Sequence, residues 1–364
     1  MSSNVLATDS RYETDRRGVS APYAAAPYTA ARECGSATAV LDLPAQRREA
    51  TRHMEVTAQA TPALNQMVDQ TEVSMRVLVS DLIQLTKPRI VVMILVTTVA
   101  TAMIAAGGAV SLGTLALLLL GTGMVAGSAG GANQIWERVI DRNMPRTAVR
   151  PLPSARMSTG MATAFTASMG TLGLAILWMG FSLTPAGVGL ATWLLYVFLY
   201  TPMKTRTSWN TTVGAIAGAL PMLIGYTALG GSLADETGWL LFGVLAAWQY
   251  PHFMAIAWLY RRQYEQAGFC MSTTVEPTGV SAAIQSIVGS LAVIVCGVVL
   301  CCLSPGIVPA IVCSVAVLAA TVPMLKASIR FARSRTDVTA RRLLRSSLLV
   351  LPAVLAVVTI RVFW

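Results

Sequence analysis

LGTLALLLLGTGMVAGSAGGANQIWERVIDRNMPRTAVRPLP, residues 112–153, starts as an apolar run and ends in a dense set of polar and charged side chains. Residues 112–132 contain no Asp, Glu, Lys or Arg. About 20 mainly apolar residues are enough for a helix to cross a bilayer. We therefore expect residues 112–132 to cross a membrane and the charged residues after them to lie at its surface.

The rest of the chain repeats this apolar pattern. It is 54% hydrophobic and 12% charged, whereas soluble domains carry about 25% charged residues. Nine stretches have the length and composition of spanning helices: residues 90–109, 112–132, 158–181, 184–201, 211–231, 237–258, 279–303, 305–325 and 344–363. The pattern predicts an all-α, polytopic membrane protein with nine transmembrane helices.

The formal net charge of +10 is unevenly distributed along the chain. Lys and Arg cluster in the connections between predicted helices two and three, four and five, six and seven, and eight and nine, whereas the other four connections have none. An excess of basic residues is typical of cytoplasmic loops. The alternation predicts that the N-terminus lies inside and the C-terminus outside, and it explains the positive charge without a nucleic-acid partner.

The chain before the first span has two parts. Residues 1–66 are rich in Ala, Ser, Thr and Arg and poor in large apolar residues, a composition typical of disorder. Residues 67–89 resemble an amphipathic entry helix whose apolar side is formed by Met75, Val77, Leu78, Leu82 and Leu85. Lys-Pro-Arg at 87–89 marks the membrane surface, and residues 90–364 form the nine-helix membrane domain.

A stripe of oxygen-bearing side chains follows the second span. Asn133, Glu137 and Asp141 are spaced four residues apart. On a continuous α-helix they share one face, because each step of four residues turns about 400°. Mg²⁺ in proteins prefers one or two carboxylates together with substrate phosphate oxygens. The spacing therefore predicts a Mg²⁺–diphosphate site on a helix that continues to Pro145, with Arg146 and Arg150 in the next loop suited to bidentate phosphate contacts.

The alternative for this stripe is a solvated surface helix with salt links at i,i+4. Glu137 fits that alternative poorly, because its neighbours four residues away are Asn133 and Asp141 and neither is basic. Two carboxylates at this spacing repel each other unless a cation lies between them. Immediately upstream, Gly123, Gly127 and Gly131 have a spacing that predicts close packing of helix two against a neighbour.

Several separate motifs share one resemblance. They are Leu85-Thr-Lys-Pro-Arg-Ile90, the run from Asn133 to Pro153, Tyr200-Thr-Pro-Met-Lys-Thr-Arg-Thr207, Gly214 to Gly225 with Pro221, Trp248-Gln-Tyr-Pro-His252-Phe253, and Tyr264 to Met271. Together they resemble the UbiA-type intramembrane prenyltransferases, and within them the protoheme IX farnesyltransferase branch. The resemblance extends over about residues 82–363.

The resemblance implies a UbiA-type bundle around a central, lipid-accessible cavity. The implied reaction transfers the farnesyl group of farnesyl diphosphate to a vinyl group of haem b and gives heme O for terminal oxidases. Mg²⁺ is the implied cofactor, with Asn133, Glu137 and Asp141 as catalytic residues and metal ligands. The implied partners are the lipid bilayer and haem A synthase or oxidase assembly proteins. The expected location is a bacterial inner membrane, with the mitochondrial inner membrane as the alternative.

Basic residues in the inside loops extend the predicted diphosphate site. The full predicted set is Arg146, Arg150, Lys204, Arg206, Arg261 and Arg262. The resemblance places Lys204 and Arg206 near the diphosphate, although topology alone would also explain them. The chain departs from the family pattern at Arg262 and Gln263, where acids are usual, so a second metal site is in doubt. Arg261 and Arg262 either bind diphosphate directly or only anchor the chain at the membrane surface.

His252 is one of two histidines in the chain. A haem substrate makes its imidazole a candidate axial ligand of the iron or a contact near the vinyl group. The other reading is a histidine that is only hydrogen-bonded. Spacing alone carries no sign of a haem site.

Other functions remain open on the sequence alone. A prenyltransferase acting on a quinone precursor or a chlorin is the nearest alternative, and the motif at 248–253 disfavours it. A transporter would place ionisable groups within the spans, and the middles of these spans have none. A non-catalytic oxidase assembly factor is the third alternative, because of the altered residues at 262 and 263.

Overall fold

A computed structural model describes residues 74–360 of the chain. The predicted disorder of residues 1–66, the first part of the entry segment and the last four residues lie outside this range. Within it, residues 74–85 are helical, and no residue is assigned to a β-strand. The prediction of an all-α fold is confirmed for the described part of the chain.

Nine of the helices in the described range are long and apolar enough to cross a membrane, as predicted. They are α1 (Pro88–Ala106), α2 (Leu112–Glu137), α3 (Thr159–Gly180), α4 (Leu183–Met203), α5 (Asn210–Ala228), α6 (Glu236–Leu259), α7 (Val280–Cys302), α8 (Ile307–Arg333) and α9 (Asp337–Ile360). Two large cores hold them together. One joins α6, α7, α8 and α9 and includes residues of α1 and α5, and the other lies among α1 to α5.

Helix α9 begins at Asp337, whereas the apolar pattern placed its start near residue 344. The Thr336 hydroxyl accepts a hydrogen bond from the Thr339 backbone N–H at 3.3 Å, which is a standard way to begin a helix. Arg341 and Arg342 therefore lie on the first turns of α9 and not in a loop. The prediction missed these turns because it counted only apolar residues.

The entry helix, residues 74–85, packs against the chain that follows α2. Leu85 is fully buried in a small core with Leu152 and Met157, and Leu82 packs beside them. The Arg156 guanidinium donates to both carboxylate oxygens of Asp81, from Nε at 3.1 and 3.2 Å and from Nη2 at 2.9 Å. The predicted apolar side is thus only partly used, because Met75 and Val77 are exposed.

Small residues bring the spanning helices into close contact, as the glycine spacing predicted. A Cβ on Gly131 would lie 2.5 Å from the Thr166 hydroxyl on α3, and one on Gly127 would lie 3.2 Å from Thr86. On α5, a Cβ on Gly225 would lie 2.3 Å from the Thr98 carbonyl oxygen of α1. The contacts of Gly127 and Gly131 set the position of the end of α2.

Helix α4 changes geometry before it ends. Its α-helical part, Leu183–Leu194, is followed by a π-helix, Leu195–Tyr200. The Thr201 hydroxyl donates to the Tyr196 carbonyl at 2.8 Å. π-helical segments often occur at functional sites, and this one places Tyr200 and Thr201 beside the end of α2.

Candidate active site

The predicted stripe lies at the end of α2 and in the turn after it. Asn133 and Glu137 lie on α2, and Asp141 lies on a short 3₁₀ helix, Ile140–Asn143. The expected continuous α-helix to Pro145 is therefore wrong. The Thr147 hydroxyl donates to the Asp141 carbonyl at 2.8 Å, so the chain folds back on itself before the proline. This turn directs Asp141 toward Arg150.

All three side chains are buried, with exposed fractions of 0% for Asn133, 5% for Glu137 and 1% for Asp141. The alternative of a solvated surface helix is wrong for this reason. Buried carboxylates are costly unless they are paired or hydrogen-bonded. Their partners therefore show what the site is built to hold.

Each member of the stripe is held by a basic side chain from a different segment. Lys87, just before α1, donates from Nζ to Asn133 Oδ1. Lys204, just after α4, lies 2.8 Å from Glu137 Oε1. Arg150, in the loop after α2, lies 2.7 Å from Asp141 Oδ2. Three cations thus surround two carboxylates and one amide at the predicted inside end of the bundle.

Lys87 is a site residue that the sequence interpretation missed. Gln134 Nε2 donates to the carbonyls of Gln84 and Leu85 at 3.1 and 2.8 Å, which fixes the end of the entry helix on α2. Lys87 then adopts φ of +56°, a left-handed conformation that non-glycine residues rarely use. The available signal was a Lys before a proline on the same predicted membrane side as the stripe. The sequence interpretation treats it only as a marker of the membrane surface.

Lys204 is enclosed by aromatic residues as well as by Glu137. Its Nζ lies 4.6 Å from the centre of the Tyr200 ring. Burial by itself lowers the pKa of Lys204, but the charges and hydrogen bonds of Glu137 and the nearby Tyr200 and Tyr196 outweigh it, so the pKa is raised. Lys204 is therefore a permanent cation. The Thr201 hydroxyl accepts from Asn133 Nδ2 at 3.0 Å and fixes the amide.

Asp141 has an oxygen without a hydrogen-bond partner. Its Oδ2 pairs with Arg150, but its Oδ1 is buried and unpaired. Burial raises the pKa of Asp141, and Arg150 opposes that change only in part. An unpaired buried carboxylate oxygen is costly, and a cation beside it would remove that cost.

The donor set fits Mg²⁺ shared with a substrate. Within residues 74–360, no group of three or more His, Cys, Asp or Glu side chains could hold a metal ion. Two carboxylates and an amide are too few for an all-protein cage, and Mg²⁺ commonly completes its shell with phosphate oxygens and water. The stripe is suited to that role.

The inside loops interlock around the stripe. Arg146 Nη2 donates to the Tyr264 hydroxyl at 2.9 Å, and the guanidinium lies over the Tyr260 ring at 4.7 Å. The Cys270 N–H donates to the Lys204 carbonyl at 2.6 Å. The loop after α6 thereby contacts the loops after α2 and α4. The structure brings the first and second predicted motifs together through these bonds.

The other predicted diphosphate residues lie in different surroundings. Arg206 and Arg262 are exposed. Arg261 Nη1 donates to Asp337 on α9 at 2.9 Å and to the Trp258 carbonyl at 2.6 Å. Arg261, Arg262 and Gln263 line a shallow pocket of about 270 Å³ together with Asp337. Of these residues, Arg261 has a clear structural role in joining α6 to α9.

His252 lies on α6 and contacts α9. Its Nδ1 is 3.0 Å from the Ser347 hydroxyl, and its ring stacks on Trp248 with 4.6 Å between centres. The imidazole is half-buried. The imidazole is thus hydrogen-bonded through Nδ1, and both readings of His252, haem contact and hydrogen-bonded residue only, remain predictions.

Comparison with known proteins shows the family of the chain. Residues 94–349 match the model of the UbiA prenyltransferase family. A protoheme IX farnesyltransferase of Rhodopirellula baltica is 62% identical over 284 residues, covering 77% of this chain and 99% of that protein. One from Solibacter usitatus is 39% identical over 289 residues, covering 75% of this chain and 96% of that protein.

The fold also matches a solved structure. A UbiA homologue from Archaeoglobus fulgidus, described as bound to DMAPP and Mg²⁺, superposes with a TM-score of 0.57 at 16% identity. The match covers 77% of this chain and 99% of that one. At this identity the likeness concerns the fold alone.

Proposed function

This chain belongs to the UbiA prenyltransferase family, and we propose that it transfers the farnesyl group of farnesyl diphosphate to a vinyl group of protoheme IX, giving heme O. The substrates are those in the name of the relative that is 62% identical over nearly its whole length. The alternatives of a quinone precursor, a transporter and an assembly factor have no comparable support.

The observation that carries the proposal is the buried stripe with its three cations. Lys87, Arg150 and Lys204 come from three segments and meet at one amide and two carboxylates. A structural core has no need of so many buried charges, because buried ion pairs contribute little to stability. A site for a metal–diphosphate needs both signs of charge, carboxylates for the metal and cations for phosphate oxygens.

Asn133, Glu137 and the unpaired oxygen of Asp141 would hold Mg²⁺. When bound, the ion would neutralise charge on the diphosphate as it leaves. Lys87, Lys204 and Arg150 would bind the phosphate oxygens, with Arg146 next to them. Preorganised charges of this kind lower the barrier because they need no rearrangement as charge develops.

The proposed reaction is an electrophilic alkylation. The bond between C1 of the farnesyl chain and the diphosphate oxygen breaks, and its electron pair stays on the diphosphate. The terminal vinyl carbon of the haem bonds to C1, which leaves a cation on the adjoining carbon. Water adds there and loses one proton, giving a hydroxyethylfarnesyl group. The central cavity in which the farnesyl chain of the substrate would lie remains a prediction.

The remaining cations have different proposed roles. Arg206 and Arg262 are exposed, so we assign them to capturing the diphosphate from solvent. Arg261 is held by Asp337, so any contact with diphosphate would be at the edge of the site. His252 is the proposed haem contact.

The protein is a multi-pass membrane protein, and we place it in a bacterial inner membrane with its N-terminus inside. The described helices and the bacterial relatives support that location. Haem A synthase or oxidase assembly proteins are the proposed partners, as the family resemblance implies.

The test is product formation. Membranes containing the protein are incubated with haem b, farnesyl diphosphate and Mg²⁺. The haem is then extracted, and its molecular mass is measured by mass spectrometry. We expect heme O, and none from membranes without the protein. A relative of demonstrated activity is assayed in parallel. Heme O formation by that relative, with none by this protein, would overturn the proposal. Offering a quinone precursor in a parallel reaction tests the nearest alternative.

A further inference from the structure

Ser347 on α9 is bonded twice by consecutive turns of α6. The Trp248 indole N–H donates to the Ser347 carbonyl at 2.7 Å, and His252 Nδ1 lies 3.0 Å from the Ser347 hydroxyl. The rings of Trp248 and His252 stack on each other. Ser347 is completely buried. One residue of α9 therefore determines how this imidazole is oriented.

The direction of the imidazole bond follows from the serine hydroxyl. Ser347 Oγ lies 2.8 Å from the Leu344 carbonyl, which can only accept. A hydroxyl has a single proton to donate. Since that proton goes to Leu344, Ser347 Oγ must accept from His252. His252 Nδ1 thus carries the hydrogen, and Nε2 carries the lone pair.

This arrangement is the one that metal-binding histidines use. A ligating histidine almost always donates its second ring N–H to an oxygen, and that bond fixes both the tautomer and the ring orientation. The iron of a haem substrate accepts an imidazole nitrogen as an axial ligand. A histidine serving only to join two helices would need no particular tautomer.

We propose that Ser347 is a positioning residue, which holds His252 with the Nε2 lone pair available to ligate the iron of the haem substrate. The inference rests on the proposed haem substrate and adds to it a defined ligand atom. Trp248 stabilises the arrangement through two contacts. Its indole N–H bonds the backbone carbonyl of Ser347, and its ring stacks on the imidazole that Ser347 orients.

The test is haem binding, measured apart from turnover. Purified protein in detergent is titrated with ferric haem b, and the absorption and electron paramagnetic resonance spectra are recorded. We expect a nitrogen-ligated spectrum for the native chain and its loss in His252→Ala. Removing a hydrogen bond behind a metal ligand typically weakens metal affinity about 10- to 100-fold. We therefore expect that loss of affinity in Ser347→Ala.

The chain supplies matched controls. Ser290 on α7 is also a completely buried serine, and its hydroxyl bonds the Ser328 hydroxyl on α8 at 2.9 Å and the Ser286 carbonyl at 2.8 Å, neither of which is an imidazole. Ser290→Ala should leave the haem spectrum and affinity unchanged. Ser347→Thr, which keeps the hydroxyl, should restore binding. If Ser347→Ala does not fold, as judged by thermal unfolding, Ser347→Cys replaces it, because a thiol is only a weak acceptor.

Two results would overturn the inference. One is native affinity and spectrum in the folded Ser347→Ala or Ser347→Cys protein, and the other is an unchanged spectrum in His252→Ala. Heme O formation is measured on the same preparations. If the native protein makes heme O while either result is obtained, only the role of Ser347 and His252 fails. If the native protein makes none, the proposed function fails first.

Discussion

At the residue scale, the burial of charge at the end of α2 explains why Lys87 belongs to the site. Burial lowers the pKa of Lys87, and its ammonium nevertheless bonds the fully buried Asn133. A lysine placed there without an anion nearby would cost free energy. The Glu137 carboxylate already opposes the fall in the pKa of Lys87, and a bound diphosphate would add further negative charge beside it.

Lys87→Ala should therefore lower kcat/KM for farnesyl diphosphate, with a smaller effect on the free energy of unfolding. Losing one charge-assisted hydrogen bond costs about 1.5–3 kcal/mol, or roughly a 10- to 100-fold fall in kcat/KM for farnesyl diphosphate. The control is Arg89→Ala, which removes an exposed cation two residues away. Steady-state kinetics check both variants, and equal losses in the two would contradict a specific role for Lys87.

The sequence predicts the stripe and assigns Arg150 and Lys204 to its site, but it does not predict Lys87 or which stripe residue each cation pairs with. Asn133, Glu137 and Asp141 are near neighbours along the chain, so local helical geometry nearly suffices to align them. Lys87 and Lys204 reach the stripe from 46 and 67 residues away. Such pairings depend on how distant helices pack, and no local pattern encodes them.

At the element scale, the fit between helices depends on a few glycines. Gly225 lets α5 approach the backbone of α1, with the Thr98 carbonyl 2.3 Å from where a Cβ would be. In contrast, Gly187 on α4 has nothing within 4 Å of its Cβ position. The two glycines therefore make a matched pair in neighbouring spans.

Gly225→Ala should destabilise the bundle by about 1–3 kcal/mol, the usual cost of overpacking a core. Gly187→Ala should be neutral or stabilising by about 0.5–1 kcal/mol, because glycine weakens a helix interior. Thermal unfolding in detergent compares them. A Gly225→Ala protein as stable as the native chain would show that α1 and α5 are not in this close contact.

The irregular elements were not predictable from pattern. The 3₁₀ turn at Ile140–Asn143 depends on the bond from Thr147 to the Asp141 carbonyl, and the π-helix at Leu195–Tyr200 depends on Thr201. Each places a site residue, yet hydrophobic periodicity carries no information about either. The regular spans were predictable because length and apolar composition alone define them.

At the scale of the whole molecule, all segments of the stripe site lie on one predicted side of the membrane. The loops after α2, α4 and α6 contact one another, which requires an even number of spans between them. The alternation of basic residues predicted the same side for these loops. The contacts between these loops and the pattern of basic residues are independent observations, and both place the loops on the same side of the membrane.

The predicted orientation can be tested with single cysteines in a chain whose native cysteines are replaced by alanine or serine. Ala234→Cys lies in the exposed connection between α5 and α6, and Gln266→Cys lies in the exposed loop after α6. A membrane-impermeant maleimide added to intact cells should label only the first. Labelling of Gln266→Cys alone would reverse the proposed orientation.

The central claim is that the buried stripe binds a metal–diphosphate, and the Mg²⁺ dependence of heme O formation by Asp141→Asn tests it most directly. The native protein should need Mg²⁺ and lose activity with a chelator. Asp141→Asn should lose roughly 100-fold or more in kcat/KM, whereas Glu265→Gln, which changes an exposed inside carboxylate, should retain native activity. Full Mg²⁺-dependent activity in Asp141→Asn would contradict the account.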